Sequence, residues 1–330
     1  MQLPTFFRSH NQVSAVFTIF IVVFLFIGIY IAKSNDTHSN FYTPIDKQTL
    51  SDMDSSTYTH TVKPAEIKDC AYADAICFEN LLASNDRVQI LDYETHFNYV
   101  ELDTIIDGQR VYIAHPSPIP ATAEPMQMII YSHGSGESLD DLDSDSRFMH
   151  KLRMIGPYFA SHNIAFITPQ LHGDNWGSSA ALQDIASIEA FLRELAQYDS
   201  DNSVYTARHN LIGYSMGGLA ALKYPIYAQE ESIIDTSSQD ENFQIALLAP
   251  TTDLSYWTSD KVGLLQHTRI HIWHGSSDVN VPIPYTYGFV AYMERMHHPI
   301  DLTVVDGADH WDLHQKVQED LLKYFKDTGK

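Results

Sequence analysis

Ser215 sits in the run HNLIGYSMGGLAAL (209–222), where an apolar segment passes directly into a helix-forming one, with Gly213 and Gly217 two positions away on either side. A strand running straight into a helix needs an abrupt turn. Glycines on both flanks let neighbouring backbone approach a corner that a β-carbon would block. The hydroxyl is then held at the rim of a sheet, at the positive end of a helix. A serine N-cap with glycines kept for packing would leave the same five residues, so the chemistry must be sought in its partners. A serine hydroxyl is a poor nucleophile at neutral pH and acts only with a base to take its proton and donors for the oxyanion that forms. His310 stands in DGADHWD, after the last apolar run, and Asp278 in HGSSDVNVP, after the run before it. Hydroxyl, carboxylate and imidazole thus each follow a predicted strand, a set suited to nucleophilic acyl transfer. Asp253, one run earlier, and Asp309, adjacent to His310, are competing acids; side chains adjacent in sequence usually diverge, which disfavours Asp309.

The elements that must position these groups are rhythmic. Residues 97–102 and 109–114 alternate like hairpin arms around Asp107-Gly108. Apolar runs follow at 126–134, 164–169, 209–215, 243–250, 269–275 and 300–307. Helical stretches fall between and after them, near 147–161, 179–197, from 216, near 284–297 and from 313. Such runs, alternating with amphipathic helices, imply parallel strands buried on both faces. The predicted architecture is a wound α/β sheet, mostly parallel, with helices on both faces and an antiparallel N-terminal hairpin, in one domain over 91–330. In such sheets ligands bind beyond the carboxyl ends of the strands, where Ser215, Asp278 and His310 all fall.

The chain has 330 residues, 44% hydrophobic and 12% aromatic, enough for a sizeable core. Its formal charge of −22 repels phosphate backbones and anionic headgroups and argues against nucleic-acid binding. Residues 13–32 carry no charge and as a helix would cover roughly 30 Å of hydrocarbon. Small-x-small cleavage positions are poor there, so the segment reads as an uncleaved anchor after a short tail (1–12) rather than a signal peptide. The predicted topology is single-pass, with the domain on the periplasmic or extracellular side. Residues 33–64, rich in Ser, Thr, Asp and Asn, read as a tether, and 66–84 as a helical extension, so that 33–90 precedes the domain. Cys70 and Cys77 are the only cysteines. In a regular helix their Cα atoms would be about 10.5 Å apart, too far to bridge. Either the stretch is a loop with a disulfide or a helix with two thiols.

Together, SHGSG (132–136), GYSMGG (213–218), HGSSDVNVP (274–282) and GADH (307–310) resemble the α/β-hydrolase superfamily, most of all its dienelactone-hydrolase-like and prolyl-oligopeptidase-like branches. The resemblance spans roughly 125–330 and matches the order Ser215, Asp278, His310. It implies Ser215 as nucleophile, His310 as general base and then acid, and Asp278 as the residue that orients the imidazole. It also implies an oxyanion hole from the backbone N–H of Met216 and one from the loop HGSGES, Ser135 first and Gly134 second.

Trp176, Trp257 and Trp311 fall on loops beyond strand ends and are candidates to line a substrate pocket, while Trp273 lies inside a strand and reads as core. The roughly nineteen residues of 251–269 leave no room for a large lid, so a small cap or none is expected. No H-E-x-x-H or paired C-x-x-C spacing occurs, and neither metal nor cofactor is expected. The expected activity is a membrane-anchored, carboxylesterase-like serine hydrolase acting on a small-molecule ester or thioester. A serine peptidase or acylaminoacyl hydrolase, and a catalytically silent binding module, are the alternatives. Oligomeric state is not legible.

Overall fold

Burial on both faces accounts for the central strands. In the computed structural model, which describes residues 75–120, 125–141, 146–195, 204–234 and 243–327, the runs IAFITP, HNLIGY and FQIALL are buried at every position. They form β7 (Ile164–Pro169), β8 (His209–Tyr214) and β9 (Phe243–Leu248). With β6 (Gln127–Ser132), β10 (Thr268–Gly275) and β11 (Asp301–Val305) they make a parallel array. Three antiparallel strands precede them in the chain, β2 (Val88–Thr95), β3 (Tyr99–Ile106) and β4 (Gln109–Pro116). The sheet has nine strands in the order β11-β10-β9-β8-β6-β7-β4-β3-β2. A two-residue pairing joins β1 (Ala75–Ile76) to β5 (Ile119–Pro120).

Alternate side chains of one strand feed two cores. Met128 and Ile130 of β6 enter one cluster with α1 (Phe78–Ala83), α3 (Ser179–Leu195), α4 (Gly217–Glu230) and α6 (Ile283–Arg295). Ile129 and Tyr131 enter the other with α2 (Arg147–Ser161) and α7 (Leu313–Lys326). Helices thus cover both faces, as two-sided burial requires. The β3–β4 hairpin turns on Asp107 (φ 50°) and Gly108 (φ 83°), the two positive values that a tight two-residue turn demands.

The N-terminal boundary differs from expectation. β2 begins at Val88, and Phe78 and Leu82 are fully buried in the core, so folded structure starts before residue 91. The stretch 66–84 is not one continuous helix: its described part is β1, an extended Cys77 and the six-residue α1. Cys77 is disulfide-bonded, and the sequence contains one other cysteine, Cys70, outside the described residues. The 13–32 segment and the 33–64 tether also lie outside them; among the described residues no helix is long and apolar enough to cross a membrane. Between β9 and β10 the chain forms only a 3-10 turn (Leu254–Tyr256) and the five-residue α5 (Ser259–Gly263), so no large cap arises there.

Candidate active site

The parallel array is wound outward from β6, with β7 on one side and β8 on the other, so the chain reverses its direction of progress between β6 and β8. A crevice opens at such a reversal, beyond the carboxyl ends. Ser132 at the end of β6 pairs with Gly213 of β8. The loop after β6 and the turn after β8 are therefore neighbours, and they hold Ser135 and Ser215.

Ser215 adopts φ +52°, in the left-handed region that costs an L-residue about 1–2 kcal/mol. Three backbone hydrogen bonds hold it there. Its N–H donates to the Leu248 carbonyl (2.9 Å), and its own carbonyl accepts from Gly218 N–H (3.0 Å) and Thr251 N–H (2.8 Å). The turn can be this abrupt because Gly217 has no side chain: a β-carbon there would lie 2.1 Å from the Ser132 carbonyl oxygen. Gly275 plays the same part under His310, where a β-carbon would meet the Ala308 carbonyl oxygen at 2.3 Å.

Asp278 and His310 are both buried and joined directly. The imidazole Nδ1 lies 2.7 Å from Asp278 Oδ2, while Asp278 Oδ1 accepts the backbone N–H groups of Asn280 and Val281, each at 2.8 Å. With no proton of its own to give, the carboxylate assigns the imidazole proton to Nδ1 and leaves Nε2 with a free lone pair. Behind it, His274 donates from Nε2 to the Val281 carbonyl (2.8 Å) and accepts at Nδ1 from the Thr286 hydroxyl (2.8 Å). Burial pushes the His274 imidazole below its usual value, which favours this neutral, bridging form. Tyr214, one residue before the serine, donates its hydroxyl to the His310 carbonyl (3.1 Å), tying the β8 turn to the His310 loop. Ser215 is half-buried, and among the described residues its hydroxyl makes no hydrogen bond.

Among the described residues no hydrogen bond engages the backbone N–H of Met216 or that of Ser135. Gly134 is different. Its N–H donates to Glu137 Oε2 (2.8 Å), so it is already spent and is not a second-choice oxyanion donor. The competing acids are elsewhere engaged: exposed Asp253 caps the turn at Ser255 (3.0 Å), and exposed Asp309 accepts from Trp311 N–H (2.7 Å) and Asp312 N–H (2.9 Å).

The tryptophans divide. Trp311 is partly exposed, edge-on to the His310 ring at 5.3 Å and covered by the Arg147 guanidinium at 4.2 Å. Trp176 is 51% exposed on the loop after β7. Trp257 does not belong with them: it is 3% exposed and packs in the core against Phe289 of α6, because its loop folds inward over that helix. Trp273 is core, as its strand position implied.

Four further residues complete the surroundings. Lys151 of α2 is buried and paired with Glu137, and its Nζ lies 3.9 Å from the centre of the Tyr214 ring. Asp174 accepts from Gly136 N–H (2.7 Å) and from the Ser135 hydroxyl (3.0 Å). His133, fully buried, faces the Gly134 and Gln170 carbonyls, each at 2.9 Å. Of these, Lys151 left a trace in sequence, as a lone charge beside the apolar stripe Phe148, Leu152, Ile155 and Phe159.

No protein-family model matches the sequence, and no curated protein aligns with it. Solved structures do. The chain is similar to FphF, a fluorophosphonate-binding serine hydrolase of Staphylococcus aureus, at 15% identity and a TM-score of 0.50, over 66% of this chain and 93% of that one. It is similar to the esterase Est22 at 14% identity and a TM-score of 0.50, over 76% of this chain and 83% of that one. At these identities the likeness concerns the fold. Sheet order, helices on both faces and these two likenesses show that the chain has the α/β-hydrolase fold.

Proposed function

We propose that the protein is a serine hydrolase that cleaves a carboxylic ester or thioester of a small molecule through an acyl-serine intermediate. The observation that carries this reading is the 2.7 Å contact between His310 Nδ1 and Asp278 Oδ2, at the same sheet rim as a serine held at φ +52°. The likeness to an esterase and a serine hydrolase fold agrees with it.

In the reaction, Ser215 Oγ attacks the substrate carbonyl carbon and its proton passes to His310 Nε2. The imidazolium that forms is stabilised by the Asp278 carboxylate at Nδ1–H. The carbonyl oxygen becomes an oxyanion and accepts from the Met216 and Ser135 N–H groups, which no acceptor among the described residues occupies. The C–O or C–S bond breaks, and the leaving alcohol or thiol takes the proton from His310 Nε2. Water then attacks the acyl-serine, gives its proton to His310, and the carboxylic acid departs as Ser215 recovers its proton. Trp311 and Trp176 supply apolar contact area for the substrate. Residues 13–32 anchor the chain in a membrane, with the domain on the periplasmic or extracellular side.

Labelling with a fluorophosphonate tests the reading. The folded chain is expected to label, and Ser215→Ala to remain unlabelled. Equal labelling of both, or none of the folded chain, contradicts it. Acyl esters compared with peptide amides as substrates then separate an esterase from a peptidase.

A further inference from the structure

Three successive backbone N–H groups line the turn after β6, and two are taken. Gly134 donates to Glu137, Gly136 donates to Asp174, and the Ser135 N–H between them has no acceptor among the described residues. Carboxylate acceptors make stronger hydrogen bonds than neutral ones, so the pair clamps the turn on both sides of the one donor left over. A carboxylate beside a site where negative charge develops also opposes that charge. Glu137 is the acid with a counter-charge: Lys151 is salt-bridged to its other oxygen, and both side chains are buried. Lysine is almost never buried unless paired. A buried ion pair is in addition a poor source of stability compared with apolar residues of the same volume, so stability alone does not explain its presence.

The position of the pair does. Lys151 Nζ lies over the Tyr214 ring at 3.9 Å and 5.6 Å from the Trp311 ring. Tyr214 precedes Ser215 and bonds to the His310 carbonyl. One buried amine thus lies between the loop after β6, through Glu137, the serine turn, through Tyr214, and the His310 loop, through Trp311. We infer that Glu137 and Lys151 are positioning residues, Glu137 fixing Gly134 so that the Ser135 N–H faces the oxyanion, and Lys151 holding and neutralising Glu137. The inference rests on the serine hydrolase reading above and deepens it.

The test compares two double variants of the full chain. Glu137→Gln/Lys151→Met keeps an acceptor for Gly134 N–H without a buried charge. Glu137→Leu/Lys151→Met removes the acceptor as well. Measured per fluorophosphonate-titrated site, the Gln variant is expected to keep kcat within about threefold, and the Leu variant to lose between about 10- and 100-fold with KM nearly unchanged. Affinity for a trifluoromethyl ketone, which places an oxyanion in the site, is expected to fall in step with kcat/KM for the Leu variant. Wild-type kcat in the Leu variant, or equal losses in both, overturns the inference while the labelled wild type leaves the hydrolase reading intact. If the Leu variant does not fold, the Gln variant decides, since a loss beyond about tenfold there contradicts a role through the acceptor. A wild type that does not label at all would instead remove the reading on which this rests.

Discussion

The α-carbon of Gly217 approaches the end of β6 so closely that a methyl group on it would sit 2.1 Å from the Ser132 carbonyl oxygen and 2.6 Å from that of His133. These are backbone atoms, which cannot swing aside. The contact sets the distance between the serine turn and the loop that carries Ser135. Gly217→Ala must therefore push the two apart, destabilising the fold by about 1–3 kcal/mol and lowering kcat by about 100-fold for a displacement near 1 Å. Steady-state kinetics with thermal unfolding checks this; a wild-type kcat would show that the spacing is immaterial to turnover.

Ser215 pays for its conformation in strain. Glycine at 215 relieves the left-handed backbone but adds chain entropy to the unfolded state, so Ser215→Gly is expected to be at least as stable as wild type, by up to about 1 kcal/mol, while losing all turnover. Ser215→Ala keeps the strain and should unfold near wild type. A Ser215→Gly protein clearly less stable than Ser215→Ala would contradict a strained turn.

Asn in place of Asp278 would keep the two hydrogen bonds from Asn280 and Val281 only by turning its oxygen toward them, which aims its NH2 group at His310 Nδ1. The imidazole must then accept at Nδ1 and carry its proton on Nε2, where it can no longer act as a base. Asp278→Asn is expected to lower kcat at pH 7 by about 10^4-fold with little change in KM. Loss of less than about tenfold would mean that another acid orients the imidazole.

The sequence patterns that proved legible share a physical cause. Burial on both faces produces uninterrupted apolar runs, so 164–169 was readable to the residue as β7, and the stripe over 147–161 as α2. Ser215, Asp278 and His310 follow the ends of β8, β10 and β11, since strand ends place groups at a common rim whatever their separation in sequence. β2 was not: it is an edge strand whose register shifts between Ile90 and Asp92, and the shift breaks the alternation that would mark it. Trp257 misled because residue type does not say whether a loop folds inward. Asp174 belongs to no motif, and the acceptor roles of Asp174 and Glu137 depend on which N–H groups the turn presents.

Acid should weaken the fold through His115. Its ring stacks on Phe78 at 3.6 Å, its Nδ1 lies 2.6 Å from the Pro116 carbonyl, and its Nε2 lies 2.8 Å from the Tyr205 hydroxyl. Burial pushes the imidazole down to about 3, from an ordinary value of 6.5. Below about pH 6.5 the unfolded chain takes up a proton that the folded one refuses until about pH 3. The stabilisation is thus complete above pH 6.5 and is lost as pH falls toward 3, at up to about 1.4 kcal/mol per pH unit. Denaturant unfolding between pH 4 and 6.5 is expected to show a shallower slope for His115→Gln than for wild type; parallel slopes would contradict a neutral buried His115.

The central claim is that Ser215 carries the acyl group between substrate and water, and trapping that intermediate tests it most directly. Acid quench of the full chain during turnover of an activated acyl ester, followed by peptide mass measurement, should place one acyl group on the peptide containing Ser215. The adduct should be absent from Ser215→Ala and form more slowly in His310→Gln. Turnover that leaves Ser215 unmodified, or an adduct of equal yield in Ser215→Ala, would contradict the account.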